Sequence, residues 1–171
     1  TYMFTDSSDH LWRLVSNMLW LAAFGYLLQE MTGNDKLIPI YLYGGITAGI
    51  FFMSAHLFLN GTVNSSLLGA NGAVGAVAVA TVTLSPNHRF YRHIGRGIPV
   101  WVLLILYVFI DFSGIASLHP SYILAHLGGL LSGYFFVVLL KKGKDGSLWI
   151  NHLYEKMIGL FSPKKTNQQS I

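Results

Sequence analysis

Polar and apolar positions divide this 171-residue chain into five long oily stretches. The first runs from about Leu11 to Met31 and the second from Leu37 to Leu59, separated by the turn sequence Thr32-Gly33-Asn34-Asp35. The third begins near Leu67 and stops before Ser85-Pro86-Asn87. It is built of Gly, Ala and Val, residues too small to fill space by themselves. The fourth covers about Ile98 to Phe112 and the fifth about Ser121 to Leu140. Apolar runs of about 20 residues are long enough to cross a ~30 Å hydrocarbon layer as helices. The pattern therefore predicts an all-α polytopic membrane protein with five spans. From Leu148 to Phe161 the period is also helical, with Trp149, Leu153 and Met157 spaced as one row and Ile150, Tyr154, Ile158 and Phe161 as another. That segment reads as an amphipathic helix on the membrane surface or packed on the bundle. The expected organisation is a transmembrane domain over residues 1–144 and a cytoplasmic amphipathic segment and tail over 145–171.

Composition sharpens this picture. The chain is 53% hydrophobic and only 11% charged, where a soluble domain carries roughly a quarter charged residues. There is no cysteine, so disulfides and thiolate metal sites are excluded. The net charge of +4 does not imply nucleic-acid binding, because the basic residues have topological work. Ten of the eleven, from Lys36 through Arg89, Arg92 and Arg96 to Lys141, Lys142, Lys144, Lys156, Lys164 and Lys165, fall on one side of the spans. Arg13 alone falls on the other. The positive-inside rule then puts the C-terminus in the cytoplasm and Thr1 on the outer face. A start on that face leads to the expectation of one further helix upstream, six in the parent protein.

Three spans carry a polar group just inside the same face: Asn17, Asn71 and His126. Counted at 1.5 Å per residue they share a depth to within ~6–10 Å. Such groups are expensive inside a bilayer, so three at one level read as a site. Gly69-Ala70-Asn71-Gly72 opens the third span. Ala125-His126-Leu127-Gly128-Gly129 opens the fifth and is followed by Gly133. Gly129 and Gly133, four apart, share one helix face and permit close backbone approach. Two glycine-faced helices in contact are expected to bring Asn71 and His126 together. The bland alternative is an interhelical hydrogen bond and a buried histidine bonded to a backbone carbonyl. His56 and Asp111 read as groups near the outer ends of their spans, Asp111 as a solvated helix-end charge. Asn60-Gly61-Thr62 and Asn64-Ser65-Ser66 form glycosylation sequons.

With these motifs the chain resembles the rhomboid family of intramembrane serine proteases. The family pattern is Gly-x-Ser-Gly on one helix and Ala-His-x-x-Gly-x-x-x-Gly on the last. The second half is matched by Ala125, His126, Gly129 and Gly133. The first half is matched at Gly69 and Gly72 and departs at Asn71. Asn17 through Gly25 is similar to the family's second core helix, and Lys36 through Tyr41 followed by Gly44-Gly45 to the helix after it. The resemblance runs to about Lys144. It implies a dyad in which a serine attacks the scissile carbonyl and a histidine takes its proton. It gives His126 the role of general base, Asn71 the nucleophile position and Asn17 an oxyanion contact. Arg13 falls at a second oxyanion position, with His10 one turn further off; the commoner use of such an arginine is to snorkel to the outer interface. Trp12-Arg13-Leu14 is also similar to a motif of the derlins, non-proteolytic relatives.

A carboxamide has no ionisable O–H and a delocalised nitrogen, so Asn71 is a poor nucleophile. Loss of a serine nucleophile costs on the order of 10⁶ in rate. Ser65 and Ser66 lie off the helix face of Asn71, and Ser132 is deeper than His126, so none replaces it. The leading expectation is an inactive or impaired protease-like membrane protein that still binds transmembrane helices of substrate or client proteins. The alternatives are an active intramembrane endopeptidase whose serine is altered in this chain, and a small channel or transporter. The lack of paired intramembrane charges counts against the last. The implied partners are the lipid bilayer and such helices, with no nucleic acid and no cofactor or metal.

Overall fold

The computed structural model describes residues 8–58, 70–90, 97–115 and 120–161. Gly69, Ser65, Ser66 and both sequons lie outside the described residues, as do the side chains of His10 and His56. The elements in order are α1 (Ser8–Thr32), α2 (Leu37–Phe58), α3 (Asn71–Leu84), β1 (Arg89–Phe90), β2 (Ile98–Pro99), α4 (Val100–Ile115), α5 (Pro120–Lys141) and α6 (Leu148–Phe161). The two short strands pair antiparallel, Arg89 with Pro99 and Phe90 with Ile98. Among the described residues all else of any length is helical, as the apolar runs predict. α2 over Leu37–Ala55 and α5 over Pro120–Lys141 are long and apolar enough to cross a membrane; α3 and α4 are apolar but shorter.

Local chemistry sets the ends. Gly33, with φ +76°, stops α1 by taking a left-handed turn that side-chain-bearing residues resist, and its N–H closes on the carbonyl of Gln29. Gly143, with φ +79°, does the same after α5. Pro120 starts α5 at the position where a missing N–H costs nothing.

α3 is the central helix. Ala73 through Ala78, Ala80 and Thr81 are buried, which leaves hardly any free face. Its small side chains are what allow α1, α2 and α5 to close around it. A Cβ built on Gly129 falls 2.2 Å from the carbonyl oxygen of Gly72, and one on Gly133 falls 2.1 Å from that of Ala76. On the α2 side a Cβ on Gly44 falls 2.4 Å from that of Ala76, and one on Gly72 falls 2.4 Å from that of Ala48. Backbone thus lies on backbone across the bundle, the small-residue packing that works where lipid removes the hydrophobic drive between helices. α1 joins through larger groups. Trp20 and Phe24 stack at 5.8 Å, and both meet the ring of Tyr107 on α4 edge-on at 5.6 and 5.9 Å.

The opposite surface of the bundle is apolar and open. Ile46, Ile50, Met53, Ile105, Phe109, Leu131 and Phe135 are all exposed. In water such a surface would aggregate; in a bilayer it is the lipid contact. At the far end α6 is latched to the loop before α2. Lys36 pairs with Asp145 and donates to Ser147 at 2.7 Å, Tyr43 donates to the carbonyl of Gly146 at 3.0 Å, and Asn151 donates to that of Asp35 at 3.0 Å. Ile150 is buried there, while Leu148, Trp149, Leu153 and Tyr154 remain exposed.

Candidate functional site

Four helices bring polar side chains to one end of the bundle. Asn17 sits on the row of α1 that continues through Trp20, Phe24 and Leu28, three or four residues apart, so the helix that packs its apolar row inward turns this amide inward too. Asn71 is the first residue of α3, at the helix start and not a turn inside it. Its backbone carbonyl accepts from the hydroxyl of Tyr107 at 3.1 Å. His126 lies on the inward row of α5 with Gly129 and Gly133 and is 8% exposed.

These groups are joined through a residue that sequence reasoning assigned elsewhere. Asp111, read as a solvated helix-end charge, is a largely enclosed member of the site, with a side chain 10% exposed. It stands one turn after Tyr107 on the inward face of α4, so the helix that packs Tyr107 against Trp20 and Phe24 carries the carboxylate in with it. Counting from the end of the apolar run misplaced it; the spacing Val100, Leu104, Tyr107, Asp111 along one face was the available signal.

The connections run in a line. Asn17 donates its Nδ2 to Oδ1 of Asn71. Asn71 donates its own Nδ2 to Oδ1 of Asp111 at 2.8 Å. The carboxylate can only accept, which fixes the orientation of both amides. The second oxygen, Oδ2 of Asp111, lies 3.2 Å from Nε2 of His126. That approach is within ion-pair distance but off the axis of a good hydrogen bond, and Nε2 has no other partner. Nδ1 of His126 lies 2.8 Å from the carbonyl oxygen of Tyr122. Phe112 covers the imidazole edge-on, with ring centres 6.1 Å apart. Asn71 and His126 therefore meet through the two oxygens of one carboxylate and share no direct hydrogen bond. The Asp111–His126 contact places two ionisable side chains together, a pairing the sequence reading did not expect.

Arg13 is exposed on α1. Gly72 and Gly129 are in backbone contact directly beneath Asn71, and a Cβ on Gly72 would lie 3.6 Å from the carbonyl of Ala125, the residue before His126. Ser132 donates to the carbonyl of Gly129 at 2.8 Å, within its own helix. Among the described residues no group of three or more His, Cys, Asp or Glu gathers to hold a metal ion.

The family model of the Rhomboid domain matches residues 1–143. The chain belongs to the rhomboid family. Among curated relatives this rhomboid domain is 25% identical over 160 residues to RHOMBOID-like protein 12, mitochondrial, of Arabidopsis thaliana, covering 83% of this chain and 47% of that one. It is 29% identical over 134 residues to the Rhomboid protease GluP of Bacillus subtilis, covering 78% and 24%. With the yeast Rhomboid protein 1, mitochondrial (Saccharomyces cerevisiae) it shares 27% over 144 residues, covering 81% and 41%. This chain thus spans less than half the length of each of these curated relatives. No solved structure matches it. Family membership and the apolar helices make this rhomboid an integral membrane protein.

Proposed function

We propose that this chain is a rhomboid-family membrane domain that does no serine-peptidase chemistry and retains a polar site for a transmembrane segment of another membrane protein. The observation that carries the reading is the Asn71 carboxamide held from both sides, by Asn17 and by Asp111. At the position where the family pattern has its serine stands a group without an ionisable hydroxyl. Both its hydrogen-bonding ends are already engaged. His126 keeps the general-base position, Asn17 and Arg13 the oxyanion positions, and Gly69, Gly72, Gly129 and Gly133 the packing positions of the family. The orientation in this reading has Thr1 on the outer face and the C-terminus in the cytoplasm, with residues 145–171 as the cytoplasmic segment.

The test is fluorophosphonate labelling of the full chain in membranes, unaltered and as Asn71→Ser. The unaltered protein is expected to remain unlabelled; labelling of it overturns the reading. Binding is read by photocrosslinking to a single-span helix peptide in nanodiscs, and saturable crosslinking at the α1–α4 end is expected. A second reading is favoured by the Asp111–His126 pair alone, since buried carboxylate–imidazole pairs also serve proton-coupled transporters. Proton flux in liposomes, abolished by Asp111→Asn, would favour that reading over the first.

A further inference from the structure

We propose that Asp111 is a second lock on this site: it stands at ion-pair distance from the base nitrogen of His126 and keeps the ring protonated, so that a hydroxyl restored at residue 71 meets a histidine unable to take its proton. The inference rests on reading Asn71 and His126 as the nucleophile and base positions.

The argument starts from lone pairs. Nδ1 of His126 faces the carbonyl oxygen of Tyr122 at 2.8 Å. A carbonyl oxygen can only accept, so Nδ1 carries the hydrogen and donates it. In the neutral ring that leaves Nε2 as the only nitrogen with a free lone pair. Nε2 is where Asp111 stands, with Oδ2 at 3.2 Å. The contact is at ion-pair distance but off the axis of a good hydrogen bond. A carboxylate that close to an imidazole shielded from water favours the protonated ring by direct charge attraction, which needs no lone-pair alignment. Nε2 then carries a hydrogen, and the ring has no lone pair to offer a third group until Asp111 is lost.

The arrangement is the reverse of a serine triad. There the carboxylate binds the nitrogen remote from the nucleophile and leaves the other facing it. Here the remote nitrogen goes to backbone, and the carboxylate takes the nitrogen a nucleophile would need. The same carboxylate accepts from Asn71 through its other oxygen, at 2.8 Å. A serine at 71 would thus find Asp111 as its hydrogen-bond acceptor in place of His126.

The decisive measurement compares fluorophosphonate labelling rates in nanodiscs for the unaltered chain, Asn71→Ser, and Asn71→Ser combined with Asp111→Ala. Labelling requires the serine Oγ to bond phosphorus as the P–F bond breaks, fluoride leaving and the hydroxyl proton passing to Nε2. General-base assistance of this kind contributes on the order of 10²-fold or more. The double variant is therefore expected to label at least about 10²-fold faster than Asn71→Ser alone. Equal rates for the two overturn the lock. Labelling of the unaltered chain instead overturns the proposed function. Where neither serine variant labels, imidazole nitrogen-15 spectra of the unaltered chain and of Asp111→Asn decide, with His126→Gln identifying the resonance. The Nε2 signal is expected to move from the proton-bearing toward the lone-pair position when Asp111 is replaced. A signal that does not move overturns the proposal.

Discussion

Asp111 on α4 reaches to within 3.2 Å of Nε2 of His126 on α5, and both side chains are 10% exposed. Val100 at the start of α4, Tyr107 in its middle and this carboxylate near its end are among its inward anchors, with Leu103, Leu104 and Val108 packed beside them. Packing and polar chemistry are therefore coupled. The ring of Tyr107 docks on Trp20 and Phe24, its hydroxyl bonds the backbone at Asn71, and one turn later Asp111 closes the line from Asn17 to His126.

That coupling predicts graded effects at Tyr107. Tyr107→Phe keeps the rings and removes one hydrogen bond to the carbonyl of Asn71, an interaction worth about 0.5–1.5 kcal/mol. Tyr107→Ala also opens a cavity between α1 and α4 and is expected to cost about 3–5 kcal/mol, as large aromatic truncations do. Reversible unfolding in mixed micelles separates the two. The ordering fails if the phenylalanine variant loses as much as the alanine variant.

Glycine contacts predict a sharper contrast. At Gly129 and Gly133 a methyl group would enter the backbone of α3, at 2.2 and 2.1 Å from carbonyl oxygens. Backbone cannot swing aside as a side chain can, so Gly129→Ala and Gly133→Ala must push α5 off α3, at roughly 1–3 kcal/mol or more each. Gly49 on α2 has nothing within 4 Å of its Cβ position, and Gly49→Ala is expected to be neutral or slightly stabilising. Thermal unfolding of the three variants in one detergent checks the order. Equal losses at Gly49 and Gly129 would contradict the contact geometry.

The helices were legible in the sequence because their cause is local. Leu37 to Leu59 and Ser121 to Leu140 are continuous apolar runs with turn residues at their ends, and α2 and α5 follow them to within a residue or two. α3 was harder. Its apolar run begins near Leu67, yet the helix opens at Asn71, because composition marks what can be buried and not where a helix starts. Within the site Asn17, Asn71 and His126 stood out as polar groups in apolar surroundings. Asp111 was missed because a charge close to the end of an apolar run is normally solvated, and whether it turns inward depends on how α4 rotates. That rotation is set by Tyr107 meeting Trp20 and Phe24, residues 87 and 83 positions earlier in the chain. No local pattern carries it.

The latch at the other end of the bundle predicts a pH response. Burial alone would raise the Asp145 carboxyl. Hydrogen bonds from Lys36 and Ser147, with the Lys36 charge, outweigh that and hold it below the usual carboxylate range. A carboxyl depressed in the folded state adds stability above its unfolded value, near pH 4, and that stability is lost as pH falls through the lower folded value. The tie between α6 and the loop before α2 should therefore hold from neutral pH down to about 4 and release only below it. Asp145→Asn should release it at every pH. Because this pair is partly open to solvent, with side chains 16% and 23% exposed, the global stability change is expected to be small, under about 1 kcal/mol. The local change is the one to read. Hydrogen exchange at Asn151, whose amide bonds the carbonyl of Ser147 at 2.9 Å at the start of α6, should quicken in Asp145→Asn at neutral pH and stay slow in the unaltered chain. Exchange at Val77, in the middle of the enclosed helix α3, should be the same in both. Unchanged exchange at Asn151 would mean that Tyr43 and the Asn151 side-chain bond to Asp35 hold α6 without the ion pair.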